Sequence, residues 1–115
     1  MNIEIRNKLR QFATDRDWDQ FHNPKNLVMA LSGEIGELNE IFQWLSTESS
    51  TKDKLSSKQL SSIEEEIADI YLYLIRLADK LDIDIDNVAI KKIVSNAKKY
   101  PIELSKGNAT KYNKR

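Results

Sequence analysis

Apolar residues recur along most of this chain at the three- and four-residue spacing of an α-helix. Strict alternation never outlasts the short IDID run that starts at Ile83. The pattern therefore predicts four helices and no strand of consequence. The first covers about residues 2–14, with Ile5, Leu9 and Phe12 at buried spacing. The second opens with Asn23 as N-cap and Pro24 at the first helical position, and runs to about Leu45. Its stripe is Leu27, Leu31, Leu38, Ile41 and Leu45. The third carries Ile63, Ile67, Ile70, Leu74, Leu77 and Leu81 and ends near Lys80. Ser62 and Glu65 have the spacing of a capping box, with a start one turn earlier as the alternative. The fourth opens in LDIDIDNVAI, where Asp86 can cap and Ile85 can staple against Ile90. It carries Ile90, Ile93, Ala97 and Tyr100, and Pro101 ends it. The loop TDRDWDQFHN joins the first two helices. The Ser- and Lys-rich residues 46–62 read as a flexible connection with a helical turn around Leu55 to Leu60. A single all-α domain is expected over residues 1–101, with a loosely ordered polar tail at 102–115.

The second helix has a fault in its amphipathic pattern. At about 100° per residue, Glu34 falls in the middle of the apolar stripe, with leucines on both sides. Glu37 lies on the stripe's edge, one turn on, beside Ala30, Ile41 and Trp44. The third helix repeats the oddity: Glu66 flanks its stripe, Asp69 follows one turn later, and Tyr73 one turn after that. The i, i+3 spacing brings Glu34 and Glu37, and likewise Glu66 and Asp69, to one face of each helix. If the two helices pack through their stripes, four carboxylates converge. Each close pair of anions costs about 4 kcal/mol at an effective dielectric near 20. Protons or cations can relieve that repulsion.

Composition narrows the choice. The 115 residues carry 18 basic and 18 acidic side chains, a neutral balance that gives no global attraction for nucleic-acid polymers or anionic lipid. The sequence contains no cysteine, which removes thiolate metal sites and disulfides and fits a cytoplasmic setting. No apolar run approaches the ~20 residues that span a bilayer. The N-terminal MNIEIRNKLR shows no signal-peptide core. A chain this short buries a modest core, so association with a second copy is a plausible source of burial.

An all-oxygen donor set suits Mg²⁺, or Mn²⁺, which prefer carboxylates and keep water ligands that phosphates can replace. Di-iron bundles add Glu-x-x-His pairs, and the one histidine, His22, lies in a loop outside any such pair. For Glu37, Glu66 and Asp69 taken singly, a solvated helix flank is the competing reading. For Glu34 it is an ion pair with a basic residue of another helix, because an unpaired buried carboxylate is costly. Trp18, Trp44 and Tyr73 could stack a base beside such a centre, or simply fill core or interface. On the fourth helix Lys92 and Lys99 could meet phosphate and Asn96 a base or sugar; an ordinary solvated face competes with that.

The stretch GEIGELNEIFQW (33–44), followed by EEEIADIYLYLIRLA (64–78), resembles the MazG-type all-α nucleoside triphosphate pyrophosphohydrolases. Their ExxE and ExxD pairs are matched by Glu34/Glu37 and Glu66/Asp69. RDWDQFHNPKNL from Arg16, FQW ending at Trp44 and KIVSNAKKYP from Lys92 are similar to the dCTP pyrophosphatase branch. The resemblance implies a four-helix bundle completed as a homodimer or homotetramer. It implies Mg²⁺ held by Glu34, Glu37, Glu66 and Asp69, and cleavage between the α- and β-phosphates of a nucleoside triphosphate. It implies a base and sugar pocket built from Trp18, Asp19, Gln20, Phe21 and His22 with Trp44, Tyr73 and Asn96. Nucleotide contacts from Ile5 through Phe12 stay open.

The expected chemistry is in-line attack of a metal-activated water on the α-phosphorus. Glu37 is the candidate proton acceptor, with Glu34 also in the catalytic group. Two other readings share the sequence: a non-catalytic helical interaction module, and the same chemistry on a different nucleotide.

Overall fold

The structure is a computed structural model that describes residues 2–107. It is helical, with α1 at Ile3–Asp15, α2 at Pro24–Phe42, α3 at Ser57–Lys80, α4 at Ile85–Lys99 and α5 at Ile102–Ser105. Short 3₁₀ turns stand at Asp19–Phe21 and Glu48–Ser50, and no strand occurs among the described residues. The chain divides into two compact units, one ending at Ile83 and the other beginning at Asp84.

In the first unit α2 and α3 pack along one another and α1 lies against α3. The helix starts follow capping chemistry. Asn2 accepts from the Ile5 N–H and Asn23 from the Asn26 N–H, with Pro24 placed as the sequence predicts. The third helix departs from expectation. Its cap is Ser56, whose hydroxyl accepts from the Gln59 N–H while the Gln59 side chain accepts from the Ser56 N–H. The capping box therefore lies six residues before the expected Ser62–Glu65 pair, and the turn foreseen around Leu55 to Leu60 is largely the first turn of α3 itself. Serine is frequent in this stretch, and Gln59 serves the box as well as a glutamate does.

Burial also rotates the expected stripes. On α2 Leu27 is buried, and Leu31, Glu34, Leu38 and Ile41 are half-buried, as the spacing demands. Of the expected α3 stripe, Ile63, Ile70 and Leu77 turn inward, while Ile67, Leu74 and Leu81 are exposed; Ile75 and Ala78 are buried outside it. The inward face of α3 is thus shifted toward the side that carries Glu66 and Tyr73. On α1 Phe12 is 45% exposed, and Ala13 is the residue wholly buried against the unit.

Two turns end in the same way. After α1, Asp17 adopts the left-handed conformation (φ 53°), with the Trp18 N–H on the Ala13 carbonyl and the Asp17 N–H on the Thr14 carbonyl. After α3, Asp82 does the same (φ 53°), with the Ile83 N–H on the Ala78 carbonyl and the Asp82 N–H on the Asp79 carbonyl. Both are Schellman turns with aspartate where glycine is usual. The first aims Trp18 back toward the helices.

In the second unit the cap of α4 is Asp84, which accepts from the Asn87 N–H. Asp86, the expected cap, lies in the first turn, where a negative charge still suits the helix dipole. Pro101 follows the end of α4 as expected. The expected loose tail begins with α5, and its last residues, 108–115, lie outside the described residues.

The two caps can be told apart by stability. Ser56→Ala should lower the unfolding free energy by about 1 kcal/mol. Ser62→Ala, a helix-interior change to the best helix former, should cost less than about 0.5 kcal/mol. Chemical denaturation of both variants checks this; the reverse order would return the cap to Ser62.

Candidate active site

The α2–α3 pairing brings carboxylates together. One oxygen from each of Glu34, Glu37 and Glu66 lies within 4.8 Å of the others. Glu34 and Glu66 are half-buried and Glu37 is exposed. The Oε2 atoms of Glu34 and Glu66 are fully enclosed and have no hydrogen-bond partner. The basic partner that would make Glu34 an ordinary ion pair is therefore not among the described residues.

Electrostatics register the crowding. The Glu66 carboxyl is pushed up to about 7, first by sharing a hydrogen bond with Glu34, then by loss of solvent, then by Glu37. Two enclosed acceptor atoms and an all-oxygen donor set are the combination a hard divalent cation satisfies. In donor chemistry and proximity Glu34, Glu37 and Glu66 fit such an ion.

Asp69 lies outside that cluster but faces the same space. It lines, with Glu34, a cavity of about 590 Å³. The other walls are Ile5, Lys8, Leu9 and Phe12 from α1, Trp18 and His22 from the first loop, and Leu72, Tyr73 and Arg76 from α3. Trp18 stands edge-on to Phe12 at 5.7 Å and to His22 at 6.4 Å. The Arg16 guanidinium caps the other side of Phe12, 3.6 Å from the ring centre. The cavity thus sets two carboxylates against a mainly aromatic and aliphatic wall that also carries the basic groups of Lys8, His22 and Arg76.

The remaining expected site residues are placed differently. Asp19 does not line the cavity; it pairs with Arg76 and Lys80, which hold its carboxyl below the usual range, Lys80 most strongly. Gln20 donates to the Asp17 carbonyl and carboxylate, and Phe21 is 57% exposed. Trp44 lies beyond the end of α2 and is 86% exposed. Lys92, Asn96 and Lys99 sit on α4 in the second unit.

Sequence reasoning missed Arg76 and Leu72 and left Ile5, Lys8, Leu9 and Phe12 open. A signal for Arg76 existed. It interrupts the apolar run LYLIRLA and continues the face of Glu66, Asp69 and Tyr73 at helical spacing.

The geometry defines a class: a helical protein with a carboxylate cluster between two packed helices, beside a cavity walled in part by aromatic rings. Comparison with known proteins is more specific. Residues 29–114 match the MazG-like family, and the chain belongs to that family. The dCTP pyrophosphatase 1 of Rattus norvegicus is 41% identical over 109 residues, covering 95% of this chain and 64% of the rat protein. The Homo sapiens protein of the same name is 37% identical over the same share. The chain thus spans 64% of the length of these curated relatives. A pyrophosphatase crystal structure from Archaeoglobus fulgidus superposes with TM-score 0.78 and 38% identity, covering 85% of this chain and 90% of that one. The family resemblance and the all-α class read from the sequence are both borne out.

The raised Glu66 carboxyl has a stability consequence. A carboxyl that binds its proton more tightly folded than unfolded costs stability as pH rises from its unfolded value, near 4.5, through about 7. Glu66→Gln removes that cost. In metal-free buffer the variant should gain melting temperature over wild type at pH 8, and the gain should largely vanish below the unfolded value, at about pH 4. Equal gains at both values would mean the carboxylates do not oppose one another.

Proposed function

We propose that this chain is a nucleoside triphosphate pyrophosphohydrolase that converts dCTP, or dCTP with a modified base, to dCMP and pyrophosphate. The observation that carries the reading is the pair of enclosed, unpartnered oxygens on Glu34 and Glu66 at the acidic end of the cavity. The named activities of the rat and human relatives support the choice of substrate.

Glu34, Glu37, Glu66 and Asp69 would hold Mg²⁺, with Mn²⁺ as a substitute. The bound ion would supply charge neutralisation for the triphosphate and a more acidic water. Glu37, the exposed member of the cluster, would accept the proton of the attacking water. That water's oxygen bonds to the α-phosphorus as the bond to the bridging oxygen of the β-phosphate breaks. Trp18 and Tyr73 offer ring faces for the base, and His22 a polar edge. Lys8 brings a positive charge to the cavity wall for the phosphates. For Lys92, Asn96 and Lys99, a role in holding phosphate and sugar rests on their chemistry and on the family resemblance.

A second copy of the chain completes this reading. Ile67, Tyr71 and Leu74 recur at i, i+4, i+7 along α3 and are exposed, as are Val28 and Ile35 on α2. Among the described residues only Ala13, Leu27, Ile63, Ile75 and Ala78 are buried apolar residues. So small a core favours association.

Two measurements test the proposal. Pyrophosphate release from a panel of dNTPs and NTPs should require Mg²⁺ and favour cytosine deoxynucleotides. Glu34→Ala and Asp69→Ala should each cut it by about two orders of magnitude or more, with helicity intact. Release without cytosine preference would keep the acidic centre and discard the substrate; no release at all would point to a non-catalytic interaction module. Sedimentation should give a dimer or larger species, and Leu74→Arg should shift it toward monomer; a wild-type monomer would remove the second copy from the account.

A further inference from the structure

Arg76 is the one buried charged residue among the described residues, 5% exposed. A guanidinium in that position costs several kcal/mol unless its donors are met. Here each side of the group is used. One terminal nitrogen bonds Asp19 Oδ1 at 2.5 Å, and the other lies 3.6 Å from Asp79 Oδ2. Nε donates to His22 Nδ1 at 3.3 Å. Asp79 is itself held by Arg10 of α1 through two bonds of 2.7 and 2.5 Å. Asp19 takes a further bond from Lys80 at 2.5 Å. Arg76 thus ties the first loop at two points to α3, and through Asp79 to α1.

The bond to His22 carries chemical information. A guanidinium has donors only, so the histidine nitrogen that meets it must accept. In a neutral imidazole the ring's single proton then sits on Nε2. His22 lies on the cavity wall beside Trp18 and shares that cavity with Tyr73. We propose that Arg76 is a positioning residue: its guanidinium fixes His22 as the Nε2–H tautomer and so sets the donor that a bound base meets in the cavity. The tautomer stands on the geometry alone; its meeting a base rests on the nucleotide reading.

Burial and the neighbouring cations act in the same direction as this geometry. Burial lowers the His22 pKa most, and Arg76 and Lys80 of α3 lower it further; Asp19 of the loop raises it. The net lowering favours the neutral ring, the form that an accepting Nδ1 requires.

The test is direct, because His22 is the chain's only histidine. Long-range ¹H–¹⁵N spectra of the untagged protein should show Nε2 protonated and Nδ1 as acceptor from about pH 6.5 to 8. A proton on Nδ1, or a mixture of tautomers, overturns the proposal. Arg76→Lys keeps a cation between Asp19 and Asp79 and loses the planar fork. In that variant, with folding checked by its melting curve, the tautomers should mix. The KM for dCTP should rise roughly three- to tenfold with kcat changed less than about twofold. A wild-type tautomer and wild-type KM in Arg76→Lys would equally overturn the assignment. Should the variant not fold, the wild-type spectrum decides. If the wild-type chain turns over no nucleotide, the functional reading fails separately, and the spectrum still decides the tautomer.

Discussion

Glu34, Glu37 and Glu66 crowd three carboxylates within 4.8 Å on two helices that must pack for the first unit to exist. The apolar faces of α2 and α3 draw the helices together, and the acids in those faces push back. Neither demand can be dropped, because Leu31 and Leu38 flank Glu34 on one stripe, and Ile63 and Ile70 flank Glu66 on the other. The compromise is visible in the raised Glu66 carboxyl and in two enclosed oxygens without partners. A proton can occupy that place at low pH. Near neutrality a bound cation would relieve the same repulsion, and on the proposed reading that is the place of a metal ion.

The aromatic half of the cavity depends on a second set of contacts. The Schellman turn at Asp17 points Trp18 toward Phe12, and the Asp19–Arg76–His22 contacts fasten the loop to α3. The acidic end is therefore built from helix faces and the aromatic end from a loop pinned by charge. Rigid helices suit the groups that must sit close against their own repulsion. A pinned loop suits the groups that meet the variable part of a ligand.

Much of this was legible in the residues. Four long helices, the Asn23–Pro24 start and the misplaced Glu34 all follow from spacing and capping, and the ExxE and ExxD pairs pointed to the family. What was not legible has physical causes. Ser56, Ser57, Ser61 and Ser62 offer several possible caps, and the structure uses Ser56, where the Gln59 side chain closes the box. The α3 stripe serves more than one surface, so hydrophobic spacing could not say which half faces α2. Arg76 was missed because its partners are distant in sequence, 57 residues for Asp19 and 54 for His22. Trp44 and the α4 residues carry a family expectation that a single chain's packing does not test.

The central claim is that the α2–α3 carboxylates are a cation centre that holds a triphosphate beside the aromatic cavity. The most direct measurement is anomalous scattering from crystals grown with Mn²⁺ and a non-hydrolysable α,β-imido analogue of dCTP. The account predicts manganese peaks coordinated by oxygens of Glu34, Glu37, Glu66 and Asp69, with the base lying between Trp18 and Tyr73. Ordered analogue with no manganese at those carboxylates, or a lysine or arginine of a second copy seated on Glu34 in its place, would contradict it.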